Sequence, residues 1–326
     1  MSKKIKTSEE LENRREILFA YEAKDSNPNG DPDSGNLPRM DDEGYNIVTD
    51  LRLKRTIRDY WDTVHHGTKS MEILVKQKYN PEGNVMSMAH LALEKLKLKN
   101  VSKKEGKEIR QRIIKSFPKE FIDVRCFGAA VTLENANASI TGPVQFNIGR
   151  SLNRPNVITY GLSASLSSGE GKGAGTLGEF HVVDYSLILF HGIACELSAK
   201  ITGMTENDIL EVYRGMWWGT KALNTRSKSQ QIPRFLVSAV SKQTKFQIGD
   251  LWRHVKIDKE DGILRIDDAI IDISALVTRL KENNNSLERI EYYSDDQTTF
   301  RSGDELTTDL EKLLTKSGIP IVRIGM

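Results

Sequence analysis

A chain of 326 residues, 38% hydrophobic and 28% charged, can bury a substantial core, which excludes a disordered polypeptide and leaves one elaborated domain or two ordinary ones. The formal net charge of +2 excludes little, but its distribution is uneven: residues 51 to 120 hold 17 Lys or Arg against 8 Asp or Glu, and residues 257 to 312 hold 7 against 15. Such polarity suits head-to-tail association, or a polyanion held on one face.

Residues 15 to 24, with the apolar run Ile17-Leu18-Phe19-Ala20-Tyr21, are predicted as the first strand, and the turn-rich NPNGDPDSG of residues 27 to 35 follows. Thr49 is a good helix N-cap with Asp50 in the first turn. Leu53, Ile57, Tyr60 and Val64 then recur at helical spacing, leaving Arg52, Lys54, Arg55 and Arg58 off the apolar stripe. From about Val85 to Lys119 the chain is Lys-rich and helix-prone, with Pro118 closing the segment, and reads as a helical insertion. Strands are predicted at Phe121 to Leu133 and Ser139 to Ile148. Residues 150 to 179, dense in Ser and Gly around SSGEGKGAG, read as a loop. A strand at Phe180 to Cys195 precedes a helix signalled by the Thr205/Asp208 capping box and by Ile209, Val212, Tyr213 and Met216. Ile232 to Val240 closes as a strand. The order is that of a split βαβ, or ferredoxin-like, α+β plan. Residues 246 to 326 add short signals at Ile263 to Leu280 and Asp304 to Leu314.

The chemistry-bearing residues divide unequally. GEGKGAG lacks the P-loop spacing and is followed by a strand, so no nucleotide triphosphate site is expected. The six histidines have no zinc spacing, and there is no G-x-S-x-G nucleophile motif. Asp25, Asp31, Asp33, Asp41 and Asp42 could hold a divalent cation through oxygen ligands, but match no EF-hand; turn and cap roles account for them. Cys126 and Cys195 sit in apolar segments and fit buried reduced thiols. The longest apolar run, about Tyr185 to Cys195, is too short to span a bilayer, and the charged opening MSKKIKTSEELENRRE carries no apolar signal core, so a cytoplasmic protein is expected. Basic residues make the better case. Arg125 and Phe127 alternate in a predicted strand, which places cation and ring on one face. Arg150, Arg154, Arg226, Lys228 and Arg234 flank polar, glycine-containing loops. That is a phosphate-binding palette, and because RCFG lacks the RNP signature, backbone tracking rather than sequence reading is expected.

NPNGDPDSGNLPR, GYNIVTDLRLKRTIRDYW, DVRCFGAAV, ITGPVQFNIGRS and FHGIACELSAKITGMTENDI occur in that order between about Ile17 and Arg234. In this series the chain resembles the backbone subunits of type I CRISPR surveillance (Cascade) complexes, more narrowly the Csd/Csh or autoregulator branch of the repeat-associated Cas-seven proteins. The resemblance implies a modified RNA-recognition fold shaped like a hand. Its palm would span 15–245, with helical fingers at 62–120, a thumb hairpin at 150–179 and an acidic C-terminal extension, 246–326, packed on the core. It implies a non-enzymatic subunit without cofactor or metal that polymerises head to tail along a CRISPR RNA, beside other Cascade subunits and away from membranes. The subunit would hold the guide for pairing with target DNA, the thumb displacing a base at intervals. The NPNGDPDSG turn would bring Asn27 and Asn29 to the guide beside Lys54, Arg55 and Arg58, with Asn153 among the residues around the thumb. Related type III backbone subunits cut target RNA with an aspartate in the corresponding loop. Asp31 or Asp33 therefore stands as the alternative, a metal-dependent endoribonuclease.

Overall fold

The computed structural model describes residues 9–163 and 176–326. The apolar run after Arg15 forms β1 (Arg15–Ser26), the centre of the main sheet. Its continuous hydrophobicity has a simple cause. Alternate side chains of a strand point to opposite faces, and both faces are covered: Ile17, Phe19, Tyr21 and Ala23 enter one core cluster, Leu18 and Ala20 a second.

The NPNGDPDSG segment begins a two-residue ribbon, β2 (Gly30–Asp31) paired with β3 (Leu37–Pro38) just beyond it, and β4 (Ile47–Val48) leads into α1 (Asp50–Val64). Thr49 caps α1 by accepting the Arg52 N–H. The buried stripe is Leu53, Ile57 and Trp61, while Val64 is 49% exposed. The insertion consists of α2 (Met88–Leu96) and α3 (Gly106–Glu120). Pro118 lies inside α3 rather than ending it. It falls in the last turn, where one missing N–H costs a single helical bond, and its own carbonyl accepts from Arg125 Nη1 at 2.8 Å.

The strand predicted at 121–133 is instead the short helix α4 (Ile122–Phe127) followed by β5 (Gly128–Leu133). Tertiary ion pairs override the β-propensity of Val124 and Phe127. The helical turn sends Asp123 to Arg58 and Arg125 to Asp208, two partners that a strand would have placed on one face. β6 (Ala136–Thr141) hairpins with β5, and Gly142-Pro143 breaks the expected 139–148 strand before β7 (Val144–Phe146). β8 (Gly149–Ser151) and β9 (Val157–Ser163) follow, then the long β10 (Thr176–Ala194), which pairs with β9, β8, β7 and β1. The tip SSGEGKGAG, at the centre of the predicted thumb, lies outside the described residues.

α5 (Glu196–Thr202) and α6 (Glu206–Lys221) come next, the latter opened by the predicted Thr205/Asp208 capping box. α1 and α6 lie close because α6 presents glycines: a Cβ on Gly215 would sit 2.6 Å from Ile57 Cγ2, and one on Gly219 2.9 Å from the Thr56 carbonyl. β11 (Gln231–Ser241) returns beside β1.

The C-terminal part supplies β12 (Lys256–Ile257), β13 (Ile270–Asp272), α7 (Ser274–Glu282), β14 (Leu287–Ser294), β15 (Thr299–Ser302), β16 (Glu305–Thr307), α8 (Leu310–Leu314) and β17 (Ile321–Arg323). Among the described residues the main sheet runs β17-β14-β11-β1-β10-β8-β4, with β12, β13, β15 and β16 in a second sheet. α1 and α6 cover one face of β1, and α7, α8 and the second sheet pack over the other. α2, α3 and the β5–β6 hairpin enclose a third core cluster around Leu96, Ile113 and Phe117. The result is a mixed fold of helices and sheets.

Candidate nucleic-acid interface

Local hydrogen bonding builds the turn after β1. Asn27 donates from its side-chain amide to the Asn36 carbonyl at 2.7 Å, and its N–H donates to Ser227 O at 2.6 Å. Asn29 Oδ1 accepts from the Thr49 N–H and hydroxyl, both at 2.9 Å, which clamps the loop to the N-terminus of α1. A Cβ on Gly30 would lie 2.0 Å from Asn36 Oδ1 and 3.0 Å from the Asn36 carbonyl, so a larger residue would have to displace the Asn36 side chain. Asp31 accepts from the Asp33 N–H and pairs with Arg39 at 3.0 Å. Among the described residues no group of three or more His, Cys, Asp or Glu could hold a metal ion.

Two cations converge beside this turn. Lys228 Nζ donates to the Asn27 carbonyl at 2.8 Å. Burial, and then the neighbouring Arg52 charge, push its pKa down to about 8. Arg52 is itself shifted down, mainly by burial, with Arg55 adding repulsion. Neither Arg52 nor Lys228 is ion-paired among the described residues. Asp59 offsets part of the Arg52 charge without pairing to it, and partly buried like charges with no paired carboxylate carry an unfavourable self-energy that a bound anion would relieve. Arg52 was legible as a helix residue off the apolar stripe but was not singled out. The available signal was spacing: Lys54 has Asp50 four residues away and Arg55 has Asp59, both paired, whereas the positions four from Arg52 are Val48 and Thr56.

A second feature lies midway along the β9–β10 ladder. The Arg226 guanidinium sits over the Phe180 ring at 4.6 Å, and Phe180 stacks on Tyr160 at 5.2 Å with Tyr160 44% exposed. Neither ring was singled out in the sequence, although they flank the glycine-rich tip symmetrically and pair in register. Arg154 and Arg150 lie over Tyr45 at 4.8 and 5.8 Å. Both are half-exposed, with Arg154 paired to Glu260 at 2.9 Å and Arg150 to Asp41 at 3.0 Å.

Apart from Arg55, the remaining predicted residues point inward. Lys54 reaches Gln145 at 2.7 Å and Asp50 at 3.1 Å, and Arg58 pairs with the buried Asp123 at 3.1 Å. They line a shallow cleft of about 360 Å³ with Leu51, Phe127 and Gln145, where Phe127 is nearly buried and stacked on Trp61 at 5.4 Å. Arg125 does not share a face with Phe127; its guanidinium is held by Asp208, the Pro118 carbonyl and the Ser70 carbonyl. Arg234 is buried between Glu22 and Asp295, and Asn153 bridges the Tyr185 carbonyl and Leu187 N–H at 2.8 Å each. Arg55 stays half-exposed beside Arg52.

No helix among the described residues is long and apolar enough to cross a membrane. The sequence matches the family model described as "CRISPR-associated protein Cas7" over residues 13–274. A CRISPR-associated protein Cas7 of Haloferax volcanii is 29% identical over 316 residues, covering 90% of each chain. A chain of a solved CRISPR RNA-guided surveillance complex shares the fold with a TM-score of 0.50 at 14% identity, over 86% of this chain and 88% of that one. With Arg52, Lys228 and the clamped turn all inside the matched span, the chain belongs to the CRISPR-associated Cas7 family.

Proposed function

We propose that this chain is a CRISPR RNA-binding backbone subunit of a type I surveillance complex, gripping the guide through its phosphates. The observation that carries the reading is the pair Arg52 and Lys228, two adjacent cations, neither of them ion-paired among the described residues, beside a rigid turn. Arg226 over Phe180 is a further exposed cation, Arg55, Arg150 and Arg154 would have to exchange their carboxylate partners for phosphate, and the Tyr160–Phe180 stack offers a ring face to a base. Guide pairing supplies specificity in RNA-guided systems, so the protein needs phosphate contacts rather than a base code. In this reading the subunit scaffolds rather than cuts. Copies stack head to tail along the guide beside other Cascade subunits, the β9–β10 hairpin acts as the thumb, α2 and α3 form the fingers, and the guide pairs with target DNA. The succession β1, α1, β10, α6, β11, with β1 between β10 and β11, supports a ferredoxin-like palm.

The test is binding to single-stranded RNAs of unrelated sequence across a salt series. Arg52→Ala with Lys228→Ala is expected to weaken all of them alike and to flatten the salt slope by about 1.4, at ~0.7 for each phosphate no longer neutralised. Weakening confined to one sequence would refute backbone tracking. Adding Mg²⁺ or Mn²⁺ with complementary RNA to the guide-loaded complex separates the alternative: intact RNA supports a scaffold, and cleavage abolished by Asp31→Ala or Asp33→Ala would make the turn an active site.

A further inference from the structure

We infer that the groove between α3 and α5 of one copy receives the acidic 258–268 loop of a second copy. The inference rests on the head-to-tail reading above and gives that contact its chemistry.

The groove has a volume of about 730 Å³ and is lined by Ile114, Lys115, Lys119, Lys200, Ile201 and Asn207. None of its three lysines is ion-paired among the described residues, and the Arg125–Asp208 pair at its base is already satisfied. Ile201 is 78% exposed, and Leu197, four residues earlier on α5, is 40% exposed. Exposed aliphatic side chains ringed by unpaired lysines suit a protein partner that is both acidic and apolar; a bare phosphate backbone would leave them in water.

This chain carries such a partner. Residues 258–268 hold five Asp or Glu against Lys259 and Arg265, and Leu264 among them is 56% exposed. The loop cannot reach the groove of its own copy. It is anchored where the Arg154 N–H donates to the Glu260 carbonyl at 2.9 Å, next to Asn156, which is bonded to Asp184 of β10. α5 begins only after β10 has run on to Ala194, about 30 Å further at ~3.3 Å per residue. Two complementary surfaces set apart along β10, one beside its middle and one beyond its C-terminal end, make a heterologous contact, the kind that propagates as an open array.

The experiment compares coating of a long single-stranded RNA with binding to an oligonucleotide that holds one copy. Lys115→Glu/Lys119→Glu/Lys200→Glu is expected to reduce cooperative coating about 10-fold or more, since like charges face each other at the junction, while leaving the short oligonucleotide bound as before. Leu264→Lys/Asp267→Lys should do the same, and mixing the two variants should restore coating, because each altered surface then meets a complementary partner. Unchanged coating by the single variants overturns the inference. So does equal weakening on the short oligonucleotide, which would make the lysines RNA contacts. A wild-type protein that binds RNA without cooperativity overturns the head-to-tail reading itself.

Discussion

Two arginines on α1 illustrate how differently one residue type behaves at this scale. Among the described residues Arg58 is the only side-chain cation reaching Asp123, whose side chain is fully buried. Removing one partner of a buried pair leaves an uncompensated charge, so Arg58→Ala is expected to destabilise by about 3 kcal/mol or more. Arg52 has no such carboxylate among the described residues, and Arg52→Ala should leave the denaturation midpoint nearly unchanged while weakening RNA binding. Urea unfolding and RNA titration of both variants would check this contrast. Lys228 adds a pH signature. Its pKa in the free protein is about 8 against an ordinary 10.5, and a bound phosphate favours the charged form, so binding takes up a proton above pH 8. RNA affinity is expected to fall as pH rises through that range, and Lys228→Arg should flatten the fall. Stability of the RNA-free protein has the opposite sign. The folded state holds fewer protons than the unfolded one between about pH 8 and 10.5, so its stability rises with pH there. The sequence ranks these cations only in part: local spacing sets Arg52 apart from Lys54 and Arg55, but the carboxylates that hold Arg58 and Arg125, Asp123 and Asp208, are distant along the chain.

Elements were more legible where local signals and tertiary contacts agree. α6 carried its capping box and apolar period in the sequence and forms as read. α4 shows the limit: six residues with β-branched and aromatic side chains fold as a helical turn, because Asp123 also accepts the N–H groups of Leu74 and Val75. Such partners lie about fifty residues away and leave no local trace. The α1–α6 seam is another contact invisible to propensity, since mid-helix glycines read as helix-weakening. Here they admit Ile57 and the Thr56 carbonyl. Gly215→Val is therefore expected to force the helices apart, at about 1–3 kcal/mol for overpacking. Because α1 carries Arg52, RNA affinity should fall with stability. A variant that kept its unfolding midpoint would show that the seam relaxes freely.

For the whole molecule, the charge asymmetry announced two unlike halves, yet they do not divide the core. β14 and β17 continue the main sheet, and Leu18, Ala20, Leu187, Leu189, Phe235 and Val237 are covered by side chains from beyond residue 246. Arg15, fully buried at the start of β1, lies between Glu206 of α6 and Glu291 of β14, while the Tyr213 hydroxyl meets Ser238 and Glu291. That network ties the last third of the chain to the first strand and the last long helix. The polypeptide should therefore unfold as one cooperative unit. A chain ending near residue 245 would bare one entire face of β1, β10 and β11 and is expected to aggregate rather than to yield a smaller RNA-binding core. Calorimetry checks the first expectation: a single transition with equal calorimetric and van't Hoff enthalpies fits one unit, whereas two transitions would mean that the acidic part folds apart. The outcome bears on function. Only if the C-terminal part is rigidly joined to the sheet does the acidic loop keep a constant separation from the α3–α5 groove, and the proposed head-to-tail contact would need that constant separation for identical copies to repeat at even steps along an RNA.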